Sequence, residues 1–172
     1  GAGAKAAGEA AAAHGGTMGA AESYVGMAKK YYMGDPQTLR NYDGANVVWS
    51  VRDGKLDGRD VPSFLYRYEL AEQACYDALM IDAESASARA LIALVACQQL
   101  AAFDHLSEEA KNAEMIAGAG KALEGARAVA ASTGTGDLLH ALAMGRKMGA
   151  GGAVWHVCDA PTHVWDGPAP DE

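Results

Sequence analysis

Apolar positions recur at helical spacing along most of this chain, and between residues 35 and 62 that periodicity disappears. The clearest stretch runs over 65–100. There LYRYELAEQACYDALMI is followed, after Asp82, Ala83 and Glu84, by SASARALIALVACQQL. Leu70, Ala71, Ala74, Ala78, Leu79 and Ile81 fall on one face of the first segment, and Ala88, Leu91, Ile92, Val95 and Ala96 on one face of the second. So short a connection makes the two helices antiparallel, and small facing residues let them approach closely.

The flanking pattern is also helical. Residues 2–13 have high helix propensity but no apolar stripe. Thr17 is placed to cap a helix over 18–33, which Gly34 and Pro36 close. Ser63 is expected to cap the helix that leads into the central pair. Downstream, Ser107-Glu108-Glu109 reads as a helix start, giving one helix over 108–117 and a second over 118–132. Thr133 to Gly136 breaks the pattern, and Asp137 is expected to cap 138–148 with Leu138, Leu139, Leu142, Ala143 and Met144 inward. A short apolar piece over 153–158 precedes a tail rich in Pro, Gly and Asp, expected to be extended or disordered over 161–172.

The interruption reads as β structure. Asn46-Val47-Val48-Trp49-Ser50-Val51 is β-branched and aromatic, and Asp53-Gly54 is a hairpin turn signal leading to Lys55-Leu56. Asp57-Gly58 marks a second turn. A lone hairpin is marginal in water, so it must dock, and Trp49 is the residue expected to pack it on the bundle. The pattern therefore predicts one domain over 1–160, all-α and built of antiparallel helical hairpins in an α-solenoid-like stack, with a small β-hairpin inserted at about 46–60.

Composition sharpens this picture. Half the residues are hydrophobic, but much of that half is alanine, with 21 glycines, two Phe and three Trp. Such a core must come from close backbone approach. A net charge of −8 argues against nucleic acid and against an anionic membrane surface as main partners. No apolar run reaches about 18 residues, so no transmembrane helix is expected. The alanine-rich start is too weakly hydrophobic for a signal peptide, and the absence of an initiator Met suggests a processed or trimmed product. Cys75, Cys97 and Cys158 make no disulfide framework; Cys75 and Cys97 could face each other across the two helices, but read better as small buried hydrophobes.

Residues 66–100 resemble a tetratricopeptide repeat. Ala71, Ala74 and Ala78 match its small positions, Leu79 and Ile81-Asp82 its helix-ending signature, and Ala93 the small residue of the following helix. Ala83 departs from the usual Pro, and Arg89 from a common aromatic. The helices over 118–149 are similar to a HEAT-type pair, and Tyr31-Tyr32-Met33-Gly34-Asp35-Pro36 resembles an element of mixed repeat proteins of planctomycete type. The resemblance implies a scaffold role and names no active site.

Candidate chemistry is sparse. His156, Cys158 and His163 offer imidazole and thiolate donors for Zn²⁺, but their spacing matches no strong zinc signature. Gly118-Ala119-Gly120-Lys121 lacks the spacing of a phosphate loop, although it would open a helix. Glu69, Glu72 and Asp77 read as a solvated face. Tyr24, Tyr31, Tyr32, Trp49, Tyr66 and Tyr68 either line a groove beside the hairpin or form a satellite core, and of the adjacent pair Tyr31–Tyr32 at least one should be exposed. The expected function is a protein-interaction or scaffold module within a larger complex, with Tyr31, Tyr32 and Trp49 at the partner surface, without catalysis, cofactor or metal. The alternative is a metal- or cofactor-binding subunit using His156, Cys158 and His163.

Overall fold

In the computed structural model, residues 19–39, 46–108, 111, 113–151 and 153 are described. They form α1 (Ala20–Met33), β1 (Val47–Arg52), β2 (Lys55–Asp60), α2 (Ser63–Ile81), α3 (Ala86–Asp104), α4 (Ala113–Ser132) and α5 (Thr135–Lys147). The fold is mostly helical with one two-stranded antiparallel hairpin. The expected helix over 2–13, its neighbour's cap Thr17 and the tail lie outside the described residues.

The axis of the fold is α3. Ala88, every residue from Ala90 to Cys97, Gln99 and Ala101 are buried. A helix apolar on all sides needs neighbours on all sides, and α1, α2, α4 and α5 each pack against it. Contrary to expectation, α3 is long and apolar enough by composition to cross a membrane, but 61% of its most apolar window is buried inside the protein. The facing alanines of α2, Ala71, Ala74 and Ala78, are buried as the pattern predicts. Ile81 is not, because it ends α2 at the turn where no helix covers it.

Several boundaries differ from the sequence reading for local reasons. α1 starts after Gly19, whose N–H donates to the Glu22 carboxylate at 3.2 Å, and ends at Gly34 in the left-handed region with φ +70°. Pro62, not Ser63, precedes α2, and Ser85 caps α3 by accepting from the Ala88 N–H at 3.4 Å. α4 is a single helix that continues through Gly118-Ala119-Gly120-Lys121, so those amides are spent inside a helix. A Cβ on Gly118 would lie 3.5 Å from Pro62 Cγ, at ordinary van der Waals contact. In α5 the cap is Gly134; Asp137 instead sits in the first turn and pairs with Arg89 at 3.0 Å. Leu138, Ala141 and Met144 are buried there, whereas Leu139 and Ala143 face outward.

The hairpin turn is the one predicted. Asp53 and Gly54 both have positive φ, 52° and 74°, and Arg52 faces Lys55 across them. That is the type I′ geometry whose twist suits antiparallel strands. Asp57-Gly58 is not a second turn but the middle of β2. Gly58 lies opposite Trp49, and a Cβ there would be 2.7 Å from the Trp49 ring. The missing side chain makes room for the indole and keeps the strand continuous.

Candidate interaction surface

Strand alternation divides β1 between two faces. Val48 points inward and is 8% exposed, joining Val61, Leu65, Ala119 and Leu123 in a small core between hairpin, α2 and α4. Trp49 and Val51 therefore point outward with Leu56, at 55%, 74% and 69% exposure. The expectation that Trp49 packs the hairpin on the bundle is thus corrected: Val48 does so. Both faces of β1 carry apolar side chains, and those of the outward face are exposed.

Polar contacts fix the hairpin's orientation. Arg59 donates to Glu69 at 2.5 Å, with Glu69 only 8% exposed, and Gln73 Nε2 donates to the Trp49 carbonyl at 3.2 Å. Beside Glu69, Gln99 Nε2 donates to Glu72 at 3.0 Å. Burial pushes the Glu72 carboxyl above its ordinary range, with Glu69 adding to the rise and the Gln99 bond opposing it. Glu69 Oε1 and Gln99 Oε1 are buried without a partner among the described residues. Glu69 and Glu72 are therefore not the solvated face the sequence suggested; they lie under the hairpin. Asp77 is half-buried, and burial raises its carboxyl too.

The tyrosine pair splits. Tyr32 is buried, donates to Gln98 Oε1 at 3.0 Å, and meets Tyr68 edge-on with ring centres 5.8 Å apart. Burial raises its phenol pKa strongly. Tyr31 is half-buried at the margin of the main core, its pKa raised by burial and then by Tyr66. Neither is fully exposed, contrary to the sequence argument, because α2 covers the side of α1 that carries both. Tyr31, Tyr32 and Trp49 thus do not form one surface. Further along α2, Tyr76 and Met80 follow Gln73 at helical spacing and are 46% and 63% exposed.

A cavity of about 310 Å³ opens behind Tyr32. Arg67, Tyr68, Gln98 and His105 wall it, and the turn over residues 148–151 closes one side. The Arg67 guanidinium lies over the Tyr68 ring, 4.6 Å from its centre, and donates to the Tyr68 hydroxyl. Sequence reasoning found neither this cavity nor the Glu69–Glu72 group.

Cys75 and Cys97 are buried and free, and burial pushes both thiols up to about 12, so they are packing residues. Cys158 and the zinc candidates His156 and His163 lie outside the described residues. Among the described residues no group of three or more His, Cys, Asp or Glu side chains is placed to hold a metal. Comparison with protein-family models, curated proteins and solved structures finds no match to this chain.

Proposed function

We propose that this chain is a non-catalytic protein-interaction module, a subunit of a larger assembly, that docks its partner on the outward face of the β-hairpin. The observation that carries the reading is the exposed apolar set Trp49, Val51 and Leu56 on a hairpin whose other face is anchored by Val48, Arg59 and Gln73. Exposed aromatic and aliphatic side chains on a rigid support are what binding hot spots are made of. Tyr76 and Met80 are further exposed apolar side chains on α2. The occupant is a protein with an apolar anchor ringed by Lys and Arg. The chain carries −8 overall, which favours a basic partner; on the hairpin itself Asp53, Asp57 and Asp60 are matched by Arg52, Lys55 and Arg59. In this reading the α2–α3 pair, with its tetratricopeptide-like boundary, is one unit of a stack of helical hairpins.

The test compares the wild type with Trp49→Ser/Leu56→Ser as bait in extract from the native source, alongside melting temperatures and sedimentation. A basic partner held by the wild type, released by salt and lost from the variant at unchanged melting temperature supports the surface. Equal recovery by both removes it. A concentration-dependent dimer abolished in the variant replaces the basic partner with a second copy. Stoichiometric zinc or iron, lost on His156→Ala or Cys158→Ala, overturns the reading in favour of a metal-binding subunit.

A further inference from the structure

The cavity behind Tyr32 is a separate matter from the docking face. At 100° per residue, Arg67 lies on α2 roughly opposite the line of Glu69, Gln73, Tyr76 and Met80 that carries the hairpin and the exposed stripe. We propose that this cavity is a binding site for a small carboxylate ligand with a short apolar or aromatic body.

Its polar wall is built of donors. Arg59 and Arg89 each sit on a carboxylate, whereas Arg67 makes no ion pair among the described residues. Of the five N–H groups of its guanidinium, one is spent on the Tyr68 hydroxyl. Gln98 accepts from Tyr32 through Oε1, which leaves its amide Nε2 to donate. His105 also lines the cavity. Among the described residues no carboxylate lines the cavity, although the chain carries eight more negative than positive charges. A cation held in a partly enclosed site without an anion is an open demand for one.

The number and shape of the donors select the anion. One planar guanidinium offers a two-pronged match to a carboxylate and balances a single negative charge; a phosphate dianion would call for a second fixed cation. The volume is at the low end for ligand sites, which suits a small molecule or one terminal residue of a chain. The lining is mostly polar, and Met33, Met148 and the rings of Tyr32 and Tyr68 supply its smaller apolar part, which suits a short body. At Gly149 and Gly151 no side chain stands between the ligand and the backbone.

The probes are 3-phenylpropionate, its neutral amide and methylphosphonate, titrated into the full chain and followed by the amide resonances of Gly149, Gly151 and the Gln98 side chain. Saturable shifts are expected with the carboxylate, with roughly tenfold or greater weakening for the amide, because a charge-assisted pair is lost. Arg67→Met should abolish the response and Arg67→Lys retain part of it, since lysine keeps the charge but not the fork. Arg67→Met also removes the contact with Tyr68, so Met33→Trp, at an exposed position on the mouth, provides a second block to entry that leaves the guanidinium in place. Equal response to the amide, unchanged binding in both blocking variants, or no saturable shift with any probe overturns the proposal. Tighter binding of methylphosphonate overturns the choice of carboxylate. Trp49→Ser/Leu56→Ser should leave the titration unchanged, so this site and the docking face fail independently.

Discussion

Arg59→Ala is expected to destabilise the fold by about 1–3 kcal/mol and to loosen the hairpin. The reasoning starts from Glu69, which is 8% exposed and whose Oε1 has no partner among the described residues; Arg59 holds the other oxygen at 2.5 Å. Two unit charges about 4 Å apart attract by about 4 kcal/mol at an effective dielectric near 20. Arg59 is 48% exposed, so solvent screens part of that attraction. Breaking a fully buried pair costs about 3–5 kcal/mol and an exposed one about 0–1, and a pair with one end in water falls between. Truncation leaves a buried carboxylate with no substitute donor, one helical turn from Glu72. The assay is urea unfolding of the wild type, Arg59→Ala, Glu69→Gln and the double variant, with hydrogen exchange of the 47–51 amides. The cycle should return a coupling of about 1 kcal/mol or more, and those amides should exchange faster in Arg59→Ala. A loss within about 0.5 kcal/mol, with coupling near zero and unaltered exchange, would refute the claim that this pair holds the hairpin in place.

Two further outcomes test the interior. The folded-state pKa of Glu72 is raised, so the native state binds its proton more tightly than the unfolded chain does. Its contribution is therefore fully present below the ordinary value of 4.5 and is lost as pH rises through the raised one; Glu72→Gln should flatten that part of the melting-temperature profile, and an identical profile would count against burial of the carboxyl. Ala93 is fully enclosed on α3, so Ala93→Phe should cost roughly 1–3 kcal/mol by overpacking, read as a lower urea midpoint; an unchanged midpoint would contradict close approach of the helices there.

What the sequence made legible was local. The central helices are called at 65–81 and 85–100 and found at Ser63–Ile81 and Ala86–Asp104, because their periodicity, turn and small residues all act over a few positions. The Asp53-Gly54 turn was legible for the same reason. Where two answers were locally equal, the chain alone could not choose. Val48 and Trp49 are adjacent and both apolar, and only docking on α2 and α4 decides which goes in. The glycines at 118 and 120 read as a break, yet α4 runs unbroken through them, packed on α3. The buried acids were hidden more deeply. Nothing near Glu69 and Glu72 in sequence announces Arg59 and Gln99, which arrive only when the hairpin and α3 fold against α2. The cavity joins Arg67 to His105 and to residues 148–151 by the same long-range route.

The two sites meet on the backbone of α3. Gln98 and Gln99 are adjacent, and at 100° per residue they must look in different directions. Gln98 bonds Tyr32 at the cavity; Gln99 bonds Glu72 under the hairpin. Gln99 is fully buried and Gln98 partly so, in a helix whose other buried residues are Ala, Leu, Ile, Val and Cys, and a buried amide is costly unless it is bonded. These two glutamines therefore fix the rotation of α3 about its own axis. A turn of α3 by one residue would carry Gln98 away from Tyr32 and Gln99 away from Glu72 together. The alanines around them permit close approach at many rotations, since small side chains interlock weakly. Close packing alone would leave the register of this core loosely specified; the polar pair makes it unique, and in doing so it sets both the donor wall of the cavity and the seat of the hairpin.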